Sequence, residues 1–269
     1  MVALRLVTTP DDAPAPPGRR ARSRLLKHRT YLQVALQIVT EEGLDALTMS
    51  RLAAEADAAV GTVYTYFPSK AALVAEVQRE AIETLGRSYV LLHARLESSL
   101  AAEPAGALGP DEAALTRLLG FVRFWIATFE TFPQEAGLNA MLLAQPSLMA
   151  AEDAARVVPA ALRLLDAARA CLDDAADSGA LHAGDGADRV VTLAAAVTGV
   201  VQVRTLQPLD PHLFDGARLA ERLALDLLAG WGAEAGTLAA AAARIDELAA
   251  TGPLAPPIPN LDPPLEDPS

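Results

Sequence analysis

The chain has 269 residues, 52% of them hydrophobic and 4% aromatic, with one cysteine and a formal net charge of −12. That length buries a sizeable core in one or two domains, and a lone Cys171 excludes an internal disulfide and a cysteine-built zinc site. The acidic balance excludes a surface that coats DNA or anionic membrane on every side, so any such contact is confined to one end.

Alanine and leucine dominate and alternating β-branched patterns are nearly absent, which makes the fold class all-α. Met1 to Val7 has no apolar run of signal-peptide length, and the longest apolar segment, near Val190 to Val201, is too short to span a bilayer. A cytoplasmic chain with no membrane partner is expected. Residues 1–23 read as a disordered arm, proline-rich through Pro14, Pro16 and Pro17 and basic from Arg19. Between residues 18 and 70, eight Lys/Arg stand against five Asp/Glu, a local +3, and the remainder holds 14 against 29, or −15. Arg19, Arg20, Arg22, Arg24, Lys27 and Arg29 cluster without an acid among them. Such a cluster can track phosphates or enter a minor groove; it can also stay a solvated arm, and both hold if it orders on DNA.

The next stretch is the most informative. Thr48 can cap a helix running to about Asp57, with Met49, Leu52, Ala53 and Ala56 on one face. Asp57 suits a turn, because Asp tolerates left-handed backbone better than most residues. A second helix is predicted from about Ala59 to Phe67. Val63 and Phe67 point inward, and Gly61, Thr62, Thr65 and Tyr66 point out. Small and hydroxyl-bearing side chains on an outward face let a helix approach base edges and phosphates closely. Pro68-Ser69-Lys70 stops this helix and starts another, whose amides and Lys70 both suit a phosphate. An ordinary pair of packed helices is the bland alternative, and plain solvent fits that outward face poorly.

Ala35-Leu36-Gln37-Ile38-Val39 with Glu42-Gly43-Leu44, then Leu47-Thr48, Leu52-Ala53, Ala56, Gly61-Thr62-Val63-Tyr64 and Tyr66-Phe67-Pro68-Ser69-Lys70-Ala71-Ala72-Leu73 together resemble one family. From about Arg24 to Thr84 the chain resembles the helix-turn-helix domain of the tetracycline-repressor (TetR) family of bacterial regulators. The resemblance implies a DNA-binding domain over 24–84, with the motif at about 47–67, and a helical ligand-binding and dimerisation domain over 85–233. The residues expected at DNA are Thr48, Arg51, Val60, Gly61, Thr62, Tyr64, Thr65, Tyr66 and Lys70. Two departures stand out: Asp57 replaces the usual turn glycine, and Ala59 replaces the usual capping serine, a loss of about 1 kcal/mol of local helix stability.

Beyond this domain, helix is predicted over 71–102, with a break near Gly86 left open, and a loop at Pro104 to Pro110. Asp111 is expected to cap a helix to about Phe132, followed by helices at Gln134 to Met149 and Ala151 to Asp177, with Pro159 early in the latter or kinking it. A turn-rich link at Gly179 to Gly186 leads to helices at 187–207 and 212–230. Residues 234–269 read as an alanine-rich helix, near 237–250, and a disordered Pro-rich tail from Gly252.

Two features of this larger region could carry function. Five of the twelve aromatics lie between residues 121 and 132. Phe121, Phe124, Trp125 and Phe129 could line a pocket for an apolar ligand, with Met141 sharing the wall, or could be solid core; the resemblance favours the pocket. The 187–207 helix is apolar nearly all round, and 212–230 carries a leucine stripe. The resemblance implies that these two helices form a four-helix dimer contact; burial within one chain is the alternative. No enzyme is expected: the four histidines are scattered and no nucleophile or phosphate-loop motif occurs. His93 and Glu97, four apart, are two ligands without a third, and no cofactor is implied. The expectation is a homodimeric one-component regulator, a repressor whose grip on a double-stranded DNA operator is weakened by a small, mostly apolar effector. A ligand-binding protein without DNA function, and a ligand-independent or activating regulator, are the alternatives.

Overall fold

The computed structural model describes residues 18–104, 106–144 and 151–258, with side chains described except at 141–144 and 151–154. Among these residues the chain forms ten α-helices and no strand. Helix α1, Arg19–Glu42, runs unbroken because no Gly or Pro interrupts it, and Gly43 ends it with φ at 89°. The basic cluster is therefore the first half of a helix and not part of an irregular arm. Arg, Ala, Leu and Lys are all strong helix formers, and that local preference carries the helix out to Arg19. Residues 1–17 of the expected arm lie outside the described residues.

Helices α2 (Met49–Glu55) and α3 (Val60–Tyr66) cross through a tight turn at Asp57. The turn needs left-handed backbone, and Asp57 adopts it with φ at 46°. Helix α4, Lys70–Ala101, is continuous through Gly86. A glycine costs a helix about 1 kcal/mol, and burial of neighbouring Leu85, Tyr89 and Leu92 outweighs that. Helix α5 (Pro110–Thr131) begins one residue before the expected cap: Gly109 holds the cap position, and Asp111 sits in the first turn, where its charge favours the helix dipole.

Helix α6 is Pro133–Ala144, and the expected continuation to Met149 lies outside the described residues. Helix α7, Ala151–Asp177, absorbs Pro159 in its body. Helix α8, Gly186–Val201, tightens into a 3₁₀ turn at Gln202–Leu206. Helix α9 is Gly216–Gly230, capped by Asp215, whose carboxylate accepts from Arg218 N at 3.0 Å. Helix α10 is Ala235–Ala250.

Two cores organise these elements. The first, under the helix-turn-helix, joins Tyr31, Leu32, Ala35 and Leu36 of α1 to Leu52, Val63, Phe67 and Leu73, and takes Leu138 from α6. The second, larger core runs through α4, α5, α7, α8, α9 and α10. Arg123 of α5 pairs with Glu221 of α9 and Asp246 of α10, and Arg244 of α10 pairs with Glu103 and with Glu112, so α10 is pinned along α5.

Two stretches differ from the sequence expectation. Gly252–Ile258, read as disordered tail, lies along the bundle with Ala255 and Pro256 buried. Proline-rich composition forbids a helix there without forbidding a packed extended strap; residues 259–269 lie outside the described residues. Gly186–Leu206, helix plus 3₁₀ turn, is long and apolar enough to cross a membrane, a greater length than its most apolar part suggests. Its inward residues Val190, Leu193, Val197 and Val201 are buried in the bundle, while Val191 remains 60% exposed.

Candidate nucleic-acid interface and ligand groove

The helix-turn-helix is assembled from local signals that agree. Thr48 Oγ1 accepts from Arg51 N at 3.0 Å, capping α2 as its position predicts. Ser69 Oγ caps α4 by accepting from Ala72 N at 3.0 Å. Ala59 leaves α3 without a side-chain cap, so this short helix relies on Val63 and Phe67, both buried, to hold its place. The outward face shows Val60, Gly61, Tyr64 and Thr65 exposed, with Tyr64 at 50%. Thr62 is half-buried, and Thr65 Oγ1 is turned back to Thr62 O at 2.6 Å. That leaves a low, hydroxyl-bearing ridge with a gap at Gly61, where a side chain would meet open space.

Three of the expected DNA residues have additional duties. Tyr66 lies half-buried against α1, edge-on to Tyr31 at 5.2 Å between centroids, with the Arg24 guanidinium 5.8 Å from its ring centroid. It faces the helix carrying the basic row more than it faces outward. Lys70 Nζ donates to Leu44 O at 2.8 Å, tying the start of α4 to the α1–α2 link; two of its three protons remain for a phosphate. Arg51 bridges Glu42 at 3.0 Å and Glu55 at 2.9 Å. These exposed pairs are weak, so Arg51 can exchange them for a phosphate at little cost. Along the same end, Arg19, Arg20, Arg22, Arg24, Lys27 and Arg29 are exposed on α1.

The aromatic stripe of α5 is built into the core. Phe124 is fully buried, Phe129 is 2% exposed and Phe121 7%. Trp125 stacks on Phe121 and donates Nε1 to Thr198 Oγ1 at 3.0 Å. The gap beside Phe121 and Trp125 measures about 30 Å³, room for about one water. Met141 sits near the end of α6, at a position whose side chain is not described. Trp125→Phe should lower stability by about 1–3 kcal/mol, since it removes one hydrogen bond and the five-membered half of a packed indole. Thermal unfolding checks this, and a loss near zero would mean that the indole N–H contributes nothing.

A much larger opening lies on the other side of Tyr89, between α4, α5 and α7. This groove, about 1250 Å³, is floored by Ile82, Tyr89, Leu164 and Cys171 and rimmed by charge. Tyr89 is its link to the aromatic stripe, edge-on to Phe121 at 5.0 Å. Its hydroxyl lies 3.8 Å from Cys171 Sγ, and burial pushes that thiol up to about 11, so it stays neutral. Several of the rim charges are already paired. Arg117 grips Glu97 through two bonds of 2.7 and 2.9 Å, and these hold the Glu97 carboxyl below its usual range despite partial burial. Arg163 reaches Glu83 at 3.3 Å, and Arg87 reaches Glu80 at 2.9 Å. His93 Nδ1 stands 4.0 Å from Glu97 Oε1, and among the described residues no three His, Cys, Asp or Glu converge to hold a metal. The sequence missed this groove because its walls are contributed one helical turn at a time from distant helices. Tyr89, His93 and Glu97 on α4, and Leu164, Ala167, Cys171 and Asp174 on α7, repeat at intervals of three and four, which taken singly signal only a packed face.

Comparison with known proteins follows the same division. Residues 32–77 match the family described as bacterial regulatory proteins, tetR family. The helix-turn-helix-type transcriptional regulator YvdT of Bacillus subtilis is 39% identical over 68 residues, 25% of this chain and 35% of that protein. The helix-turn-helix-type transcriptional repressor KstR of Mycobacterium tuberculosis is 33% identical over 76 residues, 28% and 31% of the two chains. The match thus spans about a third of the length of these curated relatives. Over the whole fold, the fatty acid degradation regulator FadR from Bacillus halodurans superposes with a TM-score of 0.57 at 18% identity, covering 77% of this chain and 97% of that one. FadR from Bacillus subtilis, solved in complex with stearoyl-CoA, gives 0.51 at 16%, covering 75% and 97%. At such identities the likeness is one of fold.

Proposed function

With its N-terminal domain in the tetR family of bacterial regulatory proteins, this chain is, we propose, a DNA-binding transcriptional repressor that works as a two-fold dimer and releases its operator when a small amphipathic molecule fills the groove between α4, α5 and α7. The observation that carries the DNA half is the exposed ridge of α3, Val60 to Thr65, set beside the basic row of α1 on an otherwise acidic chain. Phosphate contact would come from Thr48, Tyr64, Lys70 and α1, and base reading from Thr62 and Thr65, with Gly61 allowing close approach. Tyr66 would act by holding α1 and α3 at a fixed spacing. Selection of duplexes from a random library tests this: enrichment of a palindrome with half-sites about one turn apart supports it, and recovery of no sequence removes it.

The dimer would form through the outer faces of α8 and α9; on α8, Val191, Ala195 and Gly199 are exposed at intervals of four. The effector would rest its apolar part on Ile82, Tyr89 and Leu164 and turn a polar end to the rim; a fold relative solved with stearoyl-CoA is compatible with such chemistry. Binding can release DNA only through tighter grip on the non-DNA-binding arrangement. Helix α4 is the natural lever, since it starts at Lys70 in the reading head and forms one wall of the groove. Ala170 is exposed on the groove wall, so Ala170→Trp should fill the space while the core stays intact. The variant should keep effector-free operator affinity within about twofold and lose response to any inducing compound by tenfold or more, about 1.4 kcal/mol. Operator binding with and without compound decides it; an unaltered response would move the effector site elsewhere.

A further inference from the structure

The floor of the groove between α4, α5 and α7 holds a polar group that its own chain satisfies poorly. Ile82, Tyr89, Leu164 and Cys171 line the groove and are each only 6–7% exposed. Of these four, Tyr89 alone carries a strong hydrogen-bonding group, and its hydroxyl is paired with Cys171 Sγ at 3.8 Å. Sulfur accepts weakly and a thiol donates weakly, so little of the phenol's bonding capacity is used. Burial pushes the Tyr89 phenol above its ordinary range, and it stays protonated as a donor. The ring is also held in place. It lies edge-on to Phe121 at 5.0 Å, tilted against Phe124 at 5.2 Å and stacked on His93 at 5.8 Å. The floor therefore offers one fixed, protonated hydroxyl in apolar surroundings.

We infer that the effector is an uncharged molecule with an oxygen acceptor, a carbonyl or ether, in its apolar body, and that Tyr89 selects it by donating to that oxygen in place of Cys171. This rests on the reading of the groove as the effector site. The rim does not select a charge. Glu83, Glu97 and Asp174 offset Arg87, Arg117 and Arg163 one for one among the lining residues. Each of these arginines already reaches an acid, and the Arg163 and Arg87 side chains are 65% and 45% exposed, where water screens them. A charged group on the floor would lose its hydration with no opposite charge beside it, which costs more than one hydrogen bond returns. An uncharged oxygen gives up less and meets a donor already in position. The place of that oxygen along the molecule also follows. Ile82 and Glu97, both lining the groove, stand about 22 Å apart along α4, and Tyr89 lies near the middle of that span. The acceptor therefore has apolar atoms on both sides of it.

The test uses phenylethyl compounds of one shape that differ only at the end: acetyl, carboxylate, isopropyl or dimethylammonium. Their affinities for the full chain are measured by ligand-observed NMR without DNA. The acetyl compound should bind most tightly. Tyr89→Phe should weaken it by about threefold to tenfold, the yield of one uncharged hydrogen bond, and leave the isopropyl compound within about twofold. Ala170→Trp, which fills the groove, should abolish binding of both. A carboxylate or dimethylammonium compound that binds as tightly as the acetyl one overturns the inference, and so does a Tyr89→Phe chain with unchanged acetyl affinity. In either case the groove reading stands as long as Ala170→Trp blocks binding. If Tyr89→Phe loses the isopropyl compound as well, the floor has collapsed, and the ratio of acetyl to isopropyl affinity in the parent decides: a ratio near one overturns the inference. If no compound binds, or Ala170→Trp changes nothing, the groove reading itself fails and takes the inference with it.

Discussion

The Gly61→Asp variant should fold as the parent does and lose DNA. Gly61 lies on the exposed face of α3, and an added side chain meets nothing within 4 Å. Replacing glycine removes backbone entropy from the unfolded state, and an acid in the first turn suits the helix dipole, so stability should hold or rise by a few tenths of a kcal/mol. The same carboxylate would face phosphates across a closed interface, where opposed like charges cost several kcal/mol. With two reading heads in the proposed dimer, operator affinity should fall by about a thousandfold or more. Thermal unfolding and anisotropy on the selected duplex measure both halves of the statement. Retained operator binding would mean that α3 does not enter the groove of DNA.

The second large effect is expected at the outer face of α8. Val191 is 60% exposed in the single chain, whereas Val197, six residues along the same helix and on its other side, is 1% exposed and belongs to the bundle core. Val191→Asp should leave the fold intact and split the dimer, because pairing would bury an unpartnered charge twice over. Val197→Asp should unfold the chain whatever its oligomeric state. Loss of the dimer removes the second half-site, and operator affinity should drop by two to four orders of magnitude, about 3–5 kcal/mol. Sedimentation at micromolar concentration distinguishes the outcomes. A parent that is already monomeric, or a Val191→Asp variant that remains dimeric, would place the contact elsewhere or dispense with it.

The reading head was largely legible in the sequence because its signals are local. Thr48, Asp57 and Ser69 act through backbone groups within three residues, and the inward pair Val63 and Phe67 lies one turn apart. The departure at Asp57 was interpretable for the same reason: a left-handed turn has a short roster of tolerant residues. What lay beyond reach depended on partners far along the chain. Phe121, Phe124 and Phe129 repeat as both pocket walls and core do, and only the placement of Tyr89, Leu164 and Thr198 decides between them. Tyr66 looked outward by helical phase, yet Tyr31 and Arg24 of α1 claim its ring. The strap was hidden because its order comes from Arg95 and Ser88, more than 150 residues upstream, and not from any propensity of its own.

Leu138 gives the reading head a dependence on time. By chain it belongs to α6, but by contact it fills the core under α1, α2 and α4, where it is 2% exposed. A ribosome adds about 5–20 residues per second. The last residue of α3, Tyr66, is therefore made several seconds before the side chain that completes the packing beneath it. Until Leu138 emerges, the nascent head carries an apolar hole and a weakened hold on its own shape. Under the proposed function, a fragment stalled or cut short before α6 should therefore be a poor trap for operators.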